Sequence, residues 1–182
     1  MEPGAASTRL LPACRLAQQC RFYTASQYDP QLGFGNIHPR AGYRSENLEK
    51  QTFVDEAFDP VVTQDVFEHI FDARAAFKEI ARTLRPGRAH IFTTPLVNKA
   101  KPSEMWASMS ETGIVYHHTP EYHGNPMSAE GSLVTWHWGQ DIVTHIKNAS
   151  GLETEVIALD DLAMGIRAEY IEVLVTTRPL VR

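Results

Sequence analysis

Cysteine is nearly absent from this chain, with Cys14 and Cys20 the only two. Their six-residue separation in a predicted helix does not put them on one face. No disulfide framework is therefore expected, and a reducing, cytoplasmic setting is. A long apolar run is also missing. The first twenty residues carry Glu2, Arg9 and Arg15, so neither a signal peptide nor a membrane anchor is expected there. Basic excess is lacking too: the formal net charge is -5, which argues against a nucleic-acid partner held through phosphates. There is no internal repeat and no low-complexity tract. What remains, at 182 residues with 43% hydrophobic and 21% charged, is an ordinary globular composition that fits a single domain.

The chain then reads as alternating elements. Leu10, Leu11, Cys14 and Ala17 recur at helical spacing over Thr8–Gln19, with Pro12 suited only to a first turn. Arg21–Ala25 reads as a short strand. Asp29–Gly42, with its Pro and Gly residues, reads as an irregular loop, and Tyr43–Leu48 as a second short strand. Phe58–Thr63 is a buried-strand pattern, with Pro60 acceptable near its beginning. Asp72 is placed to cap a helix carrying Phe77, Ile80, Ala81 and Leu84 on one face. Arg82 and Arg85 suit its last turn, and Pro86-Gly87 its stop. Ala89–Thr94 is the next strand, so a right-handed βαβ unit with parallel strands is predicted. Lys99–Gly139 shows little periodicity and reads as an irregular lid or insertion. A helix follows over Asp141–Ala149, closed by Gly151. The strands Glu153–Leu159 and Tyr170–Thr177 leave no room for a crossover helix and should pair antiparallel.

Over Phe58–Pro95 the order becomes specific: strand, Asp65-Val-Phe-Glu-His69, Asp72, helix, Leu84-Arg-Pro-Gly87, and a strand ending in Thr94-Pro95. This succession resembles the second half of a class I S-adenosylmethionine-dependent methyltransferase, from its fourth strand to its fifth. The closing helix and strand pair resembles the family's end, with its antiparallel seventh strand. The resemblance covers about two thirds of the chain. It implies an α/β fold: a mostly parallel Rossmann-like sheet with an antiparallel terminal strand, in one domain spanning residues 1–182. It also implies S-adenosyl-L-methionine as the cofactor. The family's opening strand and glycine-rich turn have no counterpart before the first predicted helix. Gly33-Phe-Gly35 follows a strand instead of joining one to a helix, and is rejected as the cofactor loop. The expectation is an amino-terminal strand that is missing or truncated, and a chain that binds the cofactor weakly unless an upstream extension supplies the loop. A module that has lost cofactor binding and catalysis and acts as a binding protein is the alternative.

The resemblance also implies site residues. Gln27 stands where an acidic residue commonly holds the ribose hydroxyls; an amide there hydrogen-bonds without charge assistance. Asn47 and Leu48 occupy the spacing of the adenine-contacting pair. Pro60 and Arg88 replace an aliphatic residue and a glycine. Thr63, Gln64 and Asp65 end the predicted strand, where open α/β sheets bind ligands on physical grounds alone. Glu68 and His69 are expected to orient the loop that follows.

The lid holds all three tryptophans, Trp106, Trp136 and Trp138, and four histidines, His117, His118, His123 and His137. Metal ligation needs partners at recognisable spacings, and none is seen, so no metal is expected. Aromatics with histidines suit a pocket for a small polar molecule. A neutral imidazole is a fitting base near pH 7, and His123 is the candidate, placed over the crevice at the strand ends. Neither a membrane nor a nucleic-acid partner is expected; a small-molecule acceptor is.

Overall fold

The computed structural model describes residues 18–125 and 128–180. The helix expected over Thr8–Gln19 lies outside the described residues except for Gln18 and Gln19, which are helical. The chain forms two compact units, Met1–Thr52 and Phe53–Arg182.

In the first unit, β1 (Ser26–Gln27) pairs in parallel with β2 (Arg44–Ser45). The strand expected over Arg21–Ala25 is displaced to Ser26–Gln27, because a strand forms where its backbone finds a partner, and Phe22 is 87% exposed. The intervening segment is turn-rich, as expected. Tyr43 donates its hydroxyl to Asp29 Oδ2 at 2.8 Å. Buried Glu46 accepts from Arg44 Nε at 2.7 Å and from the Thr52 backbone at 2.8 Å, so its charge is met inside the unit.

In the second unit, β3 (Phe58–Gln64) leads into a 3-10 turn (Phe67–His69). Helix α1 (Ala73–Thr83) follows, with the Asp72 side chain accepting from the Ala75 N–H at 2.9 Å as an N-cap should. Strand β4 (Leu84–Thr93) then pairs with β3 in parallel, as predicted. The helix ends earlier than its periodicity suggests. Leu84 is already extended and faces Phe58 in the sheet, and Pro86 disfavours helical geometry at Arg85 after it. Arg85 thus lies in the strand, not in the helix's last turn. One residue, Asp59, stands opposite Arg85–Arg88, and it pairs with Arg85 at 3.0 Å and Arg88 at 3.1 Å. Gly87 takes φ +75° within this bulge, and a Cβ there would meet Leu180 Cδ2 at 2.7 Å. The open end of α1 is closed from a distance: Arg178 donates to the carbonyls of Ala81 and Leu84.

The stretch expected to be irregular is built of short strands. β5 (Glu104–Met105) pairs with β10 (Trp136–His137), β6 (Ala107–Ser110) with β7 (Gly113–Tyr116), and β8 (Tyr122–Asn125) with β9 (Ser128–Leu133), all antiparallel. Each is too short to show a period, which is why the sequence pattern hides them. Helix α2 (Ile142–Ser150) ends at Gly151 in the left-handed conformation, φ 76°. Strands β11 (Glu153–Ala158) and β12 (Glu172–Thr177) close the chain. β12 inserts between β4 and β11, antiparallel to both, giving the order β11-β12-β4-β3. The result is a mixed α/β sheet in which the parallel pair is β3 and β4.

The core sits where the sheet, α1, α2 and the 3-10 turn meet. Phe67 stacks on Phe77 at 4.3 Å and packs on Phe92, while Leu84, Ile80, Ile142, Ile146 and Leu174 are buried around them.

Candidate active site at the end of the third strand

Strand β3 ends in Thr63, Gln64 and Asp65, and the structure holds these three together. Asp65 adopts φ 50°, uncommon for a residue with a side chain. Its N–H donates to the Thr93 carbonyl at 3.0 Å, and Thr93 Oγ1 donates to Asp65 Oδ1 at 2.9 Å. Gln64 and Asp65 are exposed. Thr63 is not equally available, because its hydroxyl meets His90 Nε2 at 3.0 Å. That imidazole is wholly buried, stacks on Phe92 at 4.3 Å, and is pushed by burial down to about 3.

The other three expected cofactor residues lie in the first unit. Gln27 is in β1, where its carbonyl accepts from the Glu46 N–H at 2.9 Å. Asn47 uses its side-chain oxygen locally, accepting from the Glu49 N–H at 2.9 Å. Leu48 is half-buried.

Beyond Asp65 the 3-10 turn turns both Glu68 and His69 into fasteners. Glu68 is 3% exposed and accepts from Thr94 Oγ1 at 2.8 Å; burial pushes its carboxyl above the usual range. Its backbone carbonyl accepts from the Thr135 N–H at 2.7 Å, and the Phe67 carbonyl accepts from the Trp138 indole at 3.0 Å. His69 Nδ1 lies 2.8 Å from the Leu133 carbonyl. A carbonyl only accepts, so Nδ1 carries the proton and Nε2 keeps its lone pair. Burial lowers the pKa of this imidazole, so it is neutral near pH 7. These contacts fasten the lid segment 133–138 to the turn that ends β3.

His123, from β8, meets His69 edge-on with ring centroids 5.2 Å apart. The ligand atoms of Glu68, His69 and His123 all lie within 4.8 Å of one another. Glu121 holds two further imidazoles, with His123 Nε2 at 3.3 Å and His137 Nε2 at 3.0 Å. Trp106 is clasped between the rings of His137 and His118, at 3.8 and 4.0 Å, and His118 reaches Glu104 at 3.0 Å. Trp138 is fully buried and stacks on Trp136 at 4.6 Å, so these two indoles belong to the packing of the lid. The sequence alone sets Glu121 and His123 in one pocket-lining segment but does not join Glu68 and His69 to them. The signal available was weak: an adjacent Glu-His pair, and a Glu-x-His triplet more than fifty residues later.

The family model described as a methyltransferase domain matches residues 5–92. No curated protein matches the chain. Among solved structures, a S-adenosylmethionine-dependent methyltransferase from Methanosarcina mazei is 16% identical, with 77% of this chain and 68% of that one covered at a TM-score of 0.46. One from Mesorhizobium loti is 16% identical over 76% of this chain and 70% of its own, at 0.47. The 1,6-didemethyltoxoflavin-N1-methyltransferase from Burkholderia thailandensis is 10% identical over 76% and 51%, at 0.43. The chain therefore spans between 51% and 70% of the lengths of these three proteins. The family match runs from residue 5 through β3, α1 and most of β4, so over just under half of its length the chain is similar to methyltransferase domains.

Proposed function

We propose that the chain takes part in transfer of a methyl group from S-adenosyl-L-methionine to a small-molecule acceptor, with His123 as the base. The observation that carries this reading is the seating of His123 against His69, just beyond the carboxyl end of β3, where ligands of open α/β sheets bind.

The residues present fit the cofactor's charge. Asp65 is an exposed carboxylate, and among the described residues no Lys or Arg pairs with it, which suits a sulfonium or an α-ammonium group. Gln64 beside it offers both donor and acceptor. When bound, the cofactor supplies an electrophilic methyl group. The chain's own part is alignment and proton removal. Glu121 is a carboxylate and only accepts, so His123 Nε2 donates to it and the Nδ1 lone pair is left to take the acceptor's proton. Glu121 thus orients His123 as the third member of a triad orients its base. Asp65 and Gln64 would hold the cofactor, and His123 Nδ1 would keep the proton that the acceptor oxygen or nitrogen gives up on methylation.

Calorimetric titration with S-adenosyl-L-methionine tests the first half. Binding, even weak, is expected, with Asp65→Ala weakening it about tenfold or more. Absence of binding by the chain would overturn the reading in favour of a module that has lost the cofactor. His123→Ala should leave that binding unchanged and lower turnover of an acceptor by roughly 10²–10⁴. An unchanged rate would leave His123 a wall residue.

A further inference from the structure

We propose that Glu68, His69 and His123 form a binding site for a single divalent transition-metal ion such as Zn²⁺ or Co²⁺. Two imidazoles and one carboxylate are the donor set of open zinc and iron sites. One ligand atom from each residue falls in a cluster no wider than 4.8 Å, and His69 Nε2 lies 3.8 Å from Glu68 Oε1. Donors around a tetrahedral ion at about 2.0–2.2 Å stand roughly 3.4 Å apart, so closing the site requires a donor–donor approach of about 1.4 Å at most.

Both imidazoles are already prepared for ligation by their outer contacts. His69 donates Nδ1–H to the Leu133 carbonyl at 2.8 Å, which fixes the tautomer that presents Nε2 as a ligand. His123 faces the Glu121 carboxylate through Nε2 at 3.3 Å, which leaves Nδ1 to ligate. A backbone carbonyl behind one histidine and a carboxylate behind the other are the usual second partners of metal-bound imidazoles. Charge points the same way. Asp65 acts electrostatically on both Glu68 and His69, and Glu121 stands behind His123. Among the described residues, the ion-pair partners of Glu68 and Glu121 are histidines alone, with no Lys or Arg. Three carboxylates therefore surround this spot without a fixed cation. Exposure falls from His123 at 39% through His69 at 20% to Glu68 at 3%, so the cluster is open on the His123 side, where an ion enters and a water or small ligand completes its shell.

The regulatory consequence rests on the methyl-transfer reading above: an ion that takes the His123 lone pair leaves it unable to receive a proton, so bound metal inhibits transfer. The binding itself does not depend on that reading.

The test is titration of the untagged, chelator-treated chain with Co²⁺ and Zn²⁺, followed by calorimetry and by the visible absorption of Co²⁺, without cofactor or acceptor. One ion per chain is expected, with Co²⁺ bands of the intensity that marks four or five ligands. His123→Ala, at a partly exposed position, should weaken binding at least 100-fold. Glu68→Gln keeps an acceptor for Thr94 and removes the charge, and should weaken binding similarly. Glu121→Gln, behind the ligand, should cost about 10–100-fold, and His118→Ala should change nothing. Failure of Co²⁺ or Zn²⁺ to bind, or binding that survives both His123→Ala and Glu68→Gln in variants with native circular dichroism, overturns the site. Metal binding without cofactor binding would instead remove the methyl-transfer reading alone.

Discussion

His90 should make the stability of this protein fall as the pH is lowered from about 6.5 towards about 3. The imidazole is 1% exposed, lies between Phe67 and Phe92, and has Thr63 Oγ1 as its hydrogen-bond partner. Burial disfavours its charged form, so the folded chain keeps it neutral while the unfolded chain protonates it at its ordinary value. Between those two limits the unfolded state binds one more proton, and stability therefore rises with pH. The contribution is complete above about 6.5 and is lost as the pH falls, by about 1.4 kcal/mol per unit. At pH 5 the loss is about 2 kcal/mol, and near the lower limit it is on the order of 5 kcal/mol, comparable with the whole stability of a small domain. Carboxylates also titrate in this range, so the comparison must be with a variant. His90→Phe retains stacking on Phe92 and removes the titration. It should cost about 0.5–1.5 kcal/mol at pH 8 through the lost bond to Thr63, and then gain on the parent chain as the pH falls. Urea denaturation followed by tryptophan fluorescence at pH 8, 7, 6 and 5 measures this directly. If the two stability curves run parallel, burial does not hold His90 neutral and the reasoning fails.

Ile80→Ala should cost about 2–5 kcal/mol in the same assay, because Ile80 is 2% exposed on the buried face of α1; a loss under 1 kcal/mol would mean that the face is not packed. Arg178→Ala should cost about 2 kcal/mol by leaving the carbonyls at the end of α1 without their charged donor, and Arg178→Lys should restore only part of it, since a single ammonium cannot span them and Glu56 together. Trp138→Phe should cost about 1–3 kcal/mol by stranding the Phe67 carbonyl, with faster amide exchange at Val134 and Thr135 as the sign that the lid has loosened from the 3-10 turn.

Much of the second unit was determined by the sequence itself. The N-cap at Asp72, the apolar face through Phe77 and Ile80, and the left-handed stop at Gly151 all act within a turn or two of chain, so adjacent residues suffice to specify them. The parallel pairing of β3 with β4 follows equally, since a crossover helix between two strands leaves little choice of direction. The tertiary structure decided what depends on partners distant in the chain. The exit from α1 moved to Leu84 because Phe58 was there to pair with it, and the first strand moved to Ser26–Gln27 because Arg44–Ser45 was its partner. The lid shows the same division. Its aromatics and histidines were visible, but strands of two to six residues carry no readable period, and their hairpins exist through cross-strand hydrogen bonds. Thr63, Gln64 and Asp65 could be placed at a strand end from pattern alone. That His123 should meet Glu68 and His69, with Glu121 behind it, required the lid to fold back onto the 3-10 turn through Leu133, Thr135 and Trp138. No local rule encodes a contact across more than fifty residues, because what selects it is the burial and hydrogen bonding of the whole unit.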